Sequence, residues 1–183
     1  MSDEPSGWVT LATETIYENP WIRLEEHQVI NPSGGKSLYG KVCFKNRAVA
    51  VIAVDDRDYV YLVGQQRYTL NAYSWELPMG GAEANEEPLD AAKRELQEET
   101  GVSAERWSEI MRLHTSNSIT DEQGIVYLAR NLTVGEPRFE ETEDLTIRPV
   151  PVPEAVAMAM DGRITDAISV AALLRLQLSG WES

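Results

Sequence analysis

Three carboxylates set one helical turn apart are the feature of this chain best suited to chemistry. Within GGAEANEEPLDAAKRELQEETGV, residues 80–102, Glu95, Glu98 and Glu99 stand at i, i+3 and i+4. On a helix these positions share a face, so three like charges would be held side by side. Such repulsion is relieved by a cation in front of it. Carboxylate oxygens suit a hard ion: Mg²⁺, or Mn²⁺ in its place, takes oxygen ligands, keeps several waters and is commonly shared with substrate phosphates. Arg94 lies four residues before Glu98 and can brace that carboxylate. Gly80 and Gly81 suit a tight loop whose backbone approaches a ligand. A charge run is usually a solvated helix face. That reading leaves the surrounding spacing unexplained: Gly80, five residues, Glu86, seven residues, Arg94-Glu95, then Glu98-Glu99 and Gly101.

The helix that must carry this array has its own signals. Pro88 suits a first-turn position and Gly101 a stop just past the end. Leu89, Ala92 and Leu96 make an apolar stripe for the core. Upstream, RAVAVIAV (47–54) and YVYLVG (59–64) read as buried strands joined by a turn over 55–58; downstream, 106–114 and 124–130 read as further strands. HTSNSITDE (114–122) is a polar loop, in which Glu122 is either a contact to sugar hydroxyls or a solvated charge. Glu76, in WELP, is either an outer carboxylate supporting the site or a strand-end charge. FEETEDLTI (139–147) is an acidic loop before a strand. Two helices close the chain around Gly162, the second with Thr165 as N-cap and Ala167, Ala171, Leu174 and Leu178 as its core stripe. At the other end, strands over 8–30, a turn at 31–35 and a returning strand over 37–44 make residues 1–45 a β appendage to a body over 46–183.

With 183 residues the chain can bury a core of ordinary domain size. Its net charge of −14 and pI near 4.5 argue against nucleic-acid and membrane surfaces, both of which want basic patches. A small anionic substrate is compatible if bound cations neutralise it locally. The single Cys43 cannot form an intramolecular disulfide and reads as a small buried hydrophobe, which suits a reducing cytoplasm. MSDEPSGW lacks the apolar core of a signal peptide, and no apolar run reaches spanning length.

The stretch 80–102 resembles the signature of the Nudix hydrolases, matched at each defining position over 23 of the 183 residues. The resemblance implies an α/β fold, a Nudix α/β/α sandwich with a mixed sheet, here with the N-terminal β appendage added. It also implies metal-dependent cleavage of a nucleoside diphosphate linked to another group. Glu95, Glu98, Glu99 and the main-chain carbonyl of Met79 are then the metal ligands, with Arg94, Glu95 and Glu99 in the catalytic machinery. The approach QQRYTLNAYSWELPMGG is similar to that of the nucleoside-diphosphate-sugar branch, in which Arg67 would meet the substrate phosphates. In the same branch a catalytic glutamate precedes a Glu-Asp pair and an apolar residue. Glu143-Asp144-Leu145 makes the match Glu141, with Glu140 the alternative and Glu143 an additional metal ligand. Trp21 and Tyr39 match two aromatics that clamp the base, one from each subunit of a homodimer. A turn near Pro32-Ser33 places Trp21 opposite residues around Phe44 and Tyr39 opposite residues around Glu26, so the rings do not face each other within one hairpin. Asn117 and Ser118 stand where ADP-ribose-type members carry a proline, which leaves the sugar open. Two other readings are a house-cleaning nucleoside triphosphate pyrophosphohydrolase and a non-catalytic nucleotide sensor on the same scaffold.

Overall fold

The computed structural model describes residues 7–139 and 144–179. The chain divides into two compact units, Met1–Asn46 with Ser116–Glu122, and Arg47–Thr115 with Gln123–Ser183.

In the first unit, β1 (Val9–Glu18), β2 (Ile22–Ile30) and β3 (Lys36–Phe44) form an antiparallel sheet in the order β1-β2-β3. The β2–β3 register runs from Ile22 opposite Phe44 to Ile30 opposite Lys36, and Tyr39 lies opposite His27. Both ends of β2 are set by asparagine side chains. Asn19 Oδ1 accepts from the amides of Trp21 (2.9 Å) and Ile22 (2.8 Å), and Asn31 Oδ1 accepts from those of Ser33 and Gly35 (3.0 Å each), as short polar side chains do in turns. Segment 116–122 joins this sheet through a parallel bridge between Val42 and Thr120, an ion pair from Lys41 to Asp121 (2.8 Å) and a bond from the Phe44 amide to Asp121 Oδ1 (2.8 Å). Cys43 is buried, as expected, and burial pushes its thiol pKa up. The neighbouring Glu25 is held down to about 2 by its bonds to His27 and Arg23. All ten residues of β1 are exposed.

The second unit contains β4 (Arg47–Ala53), β5 (Tyr59–Arg67), β6 (Ala72–Glu76), β7 (Met79–Ala82), α1 (Pro88–Thr100), β8 (Val102–His114), β9 (Gln123–Val134), β10 (Thr146–Pro151), α2 (Val152–Met160) and α3 (Ala167–Ser179). One sheet is mixed, in the order β7-β4-β9-β8, with β4 and β9 parallel. The other is antiparallel, in the order β10-β5-β6. The near-continuous apolar run of β4 reflects burial on both faces, because successive side chains point opposite ways. Val49, Val51 and Ala53 pack with Ala91, Ala92 and Leu96 of α1; Ala50 and Ile52 pack with Val152, Ala155 and Met158 of α2 and Ile168, Ala172 and Leu173 of α3. This is an α/β/α sandwich with a mixed central sheet. No helix among the described residues is long and apolar enough to cross a membrane.

Three local expectations need correction. Gly80 and Gly81 belong to a strand, β7, paired with β4, and not to a loop. The N-terminal bond of α3 comes from Asp166, whose Oδ2 accepts from the Ser169 amide at 2.7 Å, and not from Thr165. The buried face of α3 is Ile168, Ser169, Ala172, Leu173 and Leu176, whereas Leu178 is exposed. The helix is apolar almost all round, so periodicity leaves its rotation undetermined.

Helix α1 ends as the sequence suggests. Gly101 has φ 72°, and its amide bonds the carbonyl of Gln97 at 2.9 Å, the left-handed cap that favours glycine. A Cβ there would also fall 2.4 Å from the carbonyl oxygen of Gly135. Gly162, at φ 83°, has open space around it. Gly162→Ala should therefore cost only the left-handed backbone penalty, about 1–2 kcal/mol, and Gly101→Ala distinctly more, by urea denaturation of both. Equal losses would show that the Gly135 contact yields without cost.

Candidate active site

Arg94 sits at the centre of the acidic helix. Its Nη1 donates to Glu95 Oε1 at 2.8 Å and Glu98 Oε2 at 3.0 Å. Its Nε and Nη2 donate to the two carboxylate oxygens of Glu86, both at 3.2 Å, and Nη2 also reaches the carbonyl of Gly81 at 3.1 Å. The Arg94–Glu98 brace follows from helical spacing. The grip on Glu86 does not: Glu86 lies before the helix begins, and its only sequence signal is its fixed distance from Gly80 and Arg94. The bond from Arg94 lowers the Glu86 pKa, and Glu86 in turn is the largest cause of a raised Arg94 pKa. One guanidinium thus orients three carboxylates, the arrangement for which its planar fork is suited.

Strand β7 and α1 are joined just as closely. Glu99, only 3% exposed, accepts a bond from the Met79 amide at 2.9 Å. The stretch leading to Met79 is pinned at each residue: the Leu77 amide donates to Ser169 Oγ and the Val51 amide to the Pro78 carbonyl, both at 2.9 Å. Gly80 is glycine because Glu95 occupies the space a side chain would need: a Cβ there would lie 2.1–2.4 Å from the Glu95 carboxyl atoms. Met79, Arg94, Glu95, Glu98 and Glu99 are therefore gathered across one strand–helix contact.

Arg67, at the end of β5, is bonded to Glu76; Glu99 and Asp166 add to the negative field that raises its pKa, after the bond to Glu76 itself. The chain leaving β9 is tied to the end of α1 by bonds from the Gly135 amide to the Gly101 carbonyl and from the Arg138 amide to the Glu98 carbonyl, both at 2.8 Å. Glu140, Glu141 and Glu143 follow, outside the described residues. Trp21, Tyr39 and Glu122 belong to the other unit. There Trp21 is 68% exposed, while Tyr39 packs edge-on against Trp8 at 5.4 Å and donates to the Ser118 carbonyl. The Glu122 amide donates to Thr120 Oγ1 at 3.4 Å.

The donor set at α1 is made of hard oxygens, and Arg94 already places a positive group between Glu95 and Glu98. The oxygen donors fit a divalent cation, and Arg94 holds two of them in place. Among the described residues no three acidic, histidine or cysteine side chains close into a ready-made cage. An ion held here would complete its shell with water and substrate phosphate, the habit of Mg²⁺.

A layered sandwich with a carboxylate helix docked on a glycine strand defines a class. The chain belongs to the Nudix hydrolase family: residues 44–172 match the NUDIX domain. Residues 8–42 match the nucleoside diphosphate sugar hydrolase N-terminal domain. The chain is 36% identical over 168 residues to an ADP-ribose pyrophosphatase of Mycobacterium tuberculosis, covering 90% of this chain and 81% of that one. It is 34% identical to an ADP-ribose pyrophosphatase of Bacillus subtilis and 32% identical to a methanol dehydrogenase activator of Bacillus methanolicus, with 92% of each chain covered in both cases. A solved structure described as an ADP compounds hydrolase superposes with a TM-score of 0.85, at 21% identity, over 97% of this chain and 96% of that one, which establishes the shared fold.

Gly80→Ala tests the strand–helix contact. The obstructed atoms are the flexible end of Glu95, so the fold should survive and Glu95 should be displaced. Turnover is expected to fall by about 100-fold, the effect of roughly an ångström of misplacement, with little change in thermal midpoint. Wild-type turnover in the folded variant would mean that this placement of Glu95 is not required.

Proposed function

We propose that this enzyme hydrolyses the pyrophosphate bond of a nucleoside diphosphate sugar, ADP-ribose-like substrates included, to a nucleoside monophosphate and a sugar phosphate. The observation that carries the reading is the pairing, on one chain, of a nucleoside diphosphate sugar hydrolase N-terminal domain with a NUDIX domain whose carboxylate helix is intact. The names of the relatives support it.

Glu95, Glu98, Glu99 and the Met79 carbonyl would hold the cation, Mg²⁺ or Mn²⁺, with Glu143 as a further ligand. When bound, such a cation would supply positive charge to the substrate phosphates and lower the pKa of the attacking water. Arg94 keeps the carboxylates oriented before substrate arrives. Arg67 donates to a phosphate. Glu141 accepts the proton of the water that attacks phosphorus as the bridging P–O bond breaks. Trp21 and Tyr39 offer flat apolar faces for the base, and Glu122 an acceptor for sugar hydroxyls. The register of β2 and β3 puts Trp21 and Tyr39 about 20 Å apart along the sheet, at about 3.3 Å per residue. One hairpin therefore cannot sandwich a base between them, and a second copy of the chain can bring the two rings together. The exposed β1, with Leu11, Ile16 and Tyr17 uncovered, supports a homodimer built on residues 1–45, since open sheet edges and apolar faces favour association. The body over 46–183 carries the chemistry. The lone Cys43 supports a cytoplasmic setting.

Product analysis with Mg²⁺ over ADP-ribose, other nucleoside diphosphate sugars and nucleoside triphosphates tests the reaction. Nucleoside monophosphate plus sugar phosphate is expected; preferential release of pyrophosphate from triphosphates would replace this reading. Glu98→Gln and Glu99→Gln should lower kcat by about 100-fold or more, and Glu141→Gln should lower kcat with KM little changed. Light scattering should give twice the 20.5 kDa chain mass. Trp21→Ala should raise KM by roughly 2- to 10-fold, the worth of one stacking contact. A monomer, or an unchanged KM, would remove the composite-site model.

A further inference from the structure

We propose that Glu76 is a positioning residue: its buried carboxylate grips one edge of Arg67 and leaves the other edge of that guanidinium to fork a substrate phosphate. This rests on the reading of Arg67 as a phosphate ligand. Arg67 Nε donates to Glu76 Oε1 at 2.9 Å and Oε2 at 3.2 Å, and Nη2 donates to Oε2 as well. The two residues are not cross-strand partners. Arg67 lies opposite Ala72, and Glu76 opposite Val63, so the arginine side chain runs back along the β5–β6 ladder to reach the carboxylate. That route fixes which edge of the guanidinium is used. Nε and one hydrogen of Nη2 are taken; the remaining edge consists of Nη1, which makes no hydrogen bond among the described residues, and the second hydrogen of Nη2, and the side chain keeps 36% of its exposure.

Glu76 itself is 3% exposed. Two strands do not need a buried ion pair to stay together, because apolar side chains of similar size do that as well or better. A pair of this kind does set direction: an Arg fork held on one edge has lost the freedom that a flexible side chain would have to give up when it binds an anion. Glu76 also heads the pinned stretch. Leu77 is tied to Ser169, Pro78 to Val51, and Met79 to Glu99. The residue that aims the phosphate ligand and the residue whose carbonyl would face the cation are three positions apart on one immobilised segment. The spacing between guanidinium and carboxylates is thereby built into the backbone.

The test is a kinetic cycle on ADP-ribose with Mg²⁺, comparing wild type, Glu76→Gln, Arg67→Ala and the double variant, with thermal midpoints recorded. Glu76→Gln should raise KM by about 10-fold, in the range of one charged hydrogen bond, with kcat changed less than about threefold. In the Arg67→Ala background it should raise KM no further. Added guanidinium, at concentrations that leave the fold intact, should partly restore Arg67→Ala but not the double variant, because the carboxylate is what would seat it. Arg67→Lys keeps a charge beside Glu76 but loses the fork, so it should show the raised KM with a thermal midpoint near wild type even if Arg67→Ala folds poorly. If Glu76→Gln shifts only the midpoint, or its effect on KM adds fully to that of Arg67→Ala, Glu76 is merely structural and the proposal is overturned while Arg67 keeps its role. If neither Arg67 variant changes KM, the phosphate reading of Arg67 fails, and the proposal with it.

Discussion

The guanidinium of Arg94 bonds Glu86, Glu95, Glu98 and the carbonyl of Gly81 at once, and the remainder of the site depends on that convergence. Without it, Glu95 and Glu98 would repel each other on the same helix face, and Glu98 would lose the bond that orients its carboxylate. With it, the helix, the loop before it and strand β7 are locked as one piece. Glu99 completes the joint from the other side by accepting the Met79 amide. The cationic group is internal and permanent, so the carboxylates are arranged before any metal or substrate binds. Such preorganisation keeps the cost of ordering out of the binding step.

Much of this was legible in the order of residues because it is local. Helical spacing alone identifies the shared face of Glu95, Glu98 and Glu99, and Pro88 and Gly101 mark the ends of α1 within the observed bounds. The β2–β3 pairing follows from its turn, with Tyr39 found opposite His27 and Glu26 its neighbour there. What escaped is non-local. Gly80 looks like a loop residue until Glu95, fifteen positions on, is seen filling the place of its missing Cβ. Glu76 was balanced between two meanings because nothing in a strand pattern reports that an arginine on the neighbouring strand will reach back to it. The rotation of α3 failed for a different reason: Leu173, Leu174, Leu176 and Leu178 offer hydrophobic choices on every side, and only the packing decides which is buried.

The two units differ in how they use their polar residues. In the body, buried charge is concentrated where α1 meets β7 and where β5 meets β6, and the two clusters are linked through Glu99 and residues 76–79. The N-terminal sheet also keeps one carboxylate, Glu25, largely covered between Arg23 and His27, but it leaves aromatic and aliphatic side chains uncovered, Trp8, Leu11, Tyr17, Trp21 and Leu38 among them. The body gathers its buried carboxylates, Glu76 and Glu99, along one segment, and the sheet leaves apolar side chains uncovered.

The parallel pairing of β4 with β9 has a consequence for how the chain is made. Ala48 lies beside Gly124 and Ala53 beside Ala129, so the central ladder joins segments separated by most of the body's sequence. Synthesis from the N-terminus delivers β4 and the acidic helix well before β9, the partner strand of β4. Until residue 129 has emerged, one edge of β4 has no ladder partner and α1 has no finished sheet to rest on, and the face of β4 that carries Ala50 and Ile52 waits longer still, for α2 and α3. Long-range closure of this kind folds slowly relative to local structure. The acidic helix is thus among the earlier elements to leave the ribosome and among the later ones to find its finished setting.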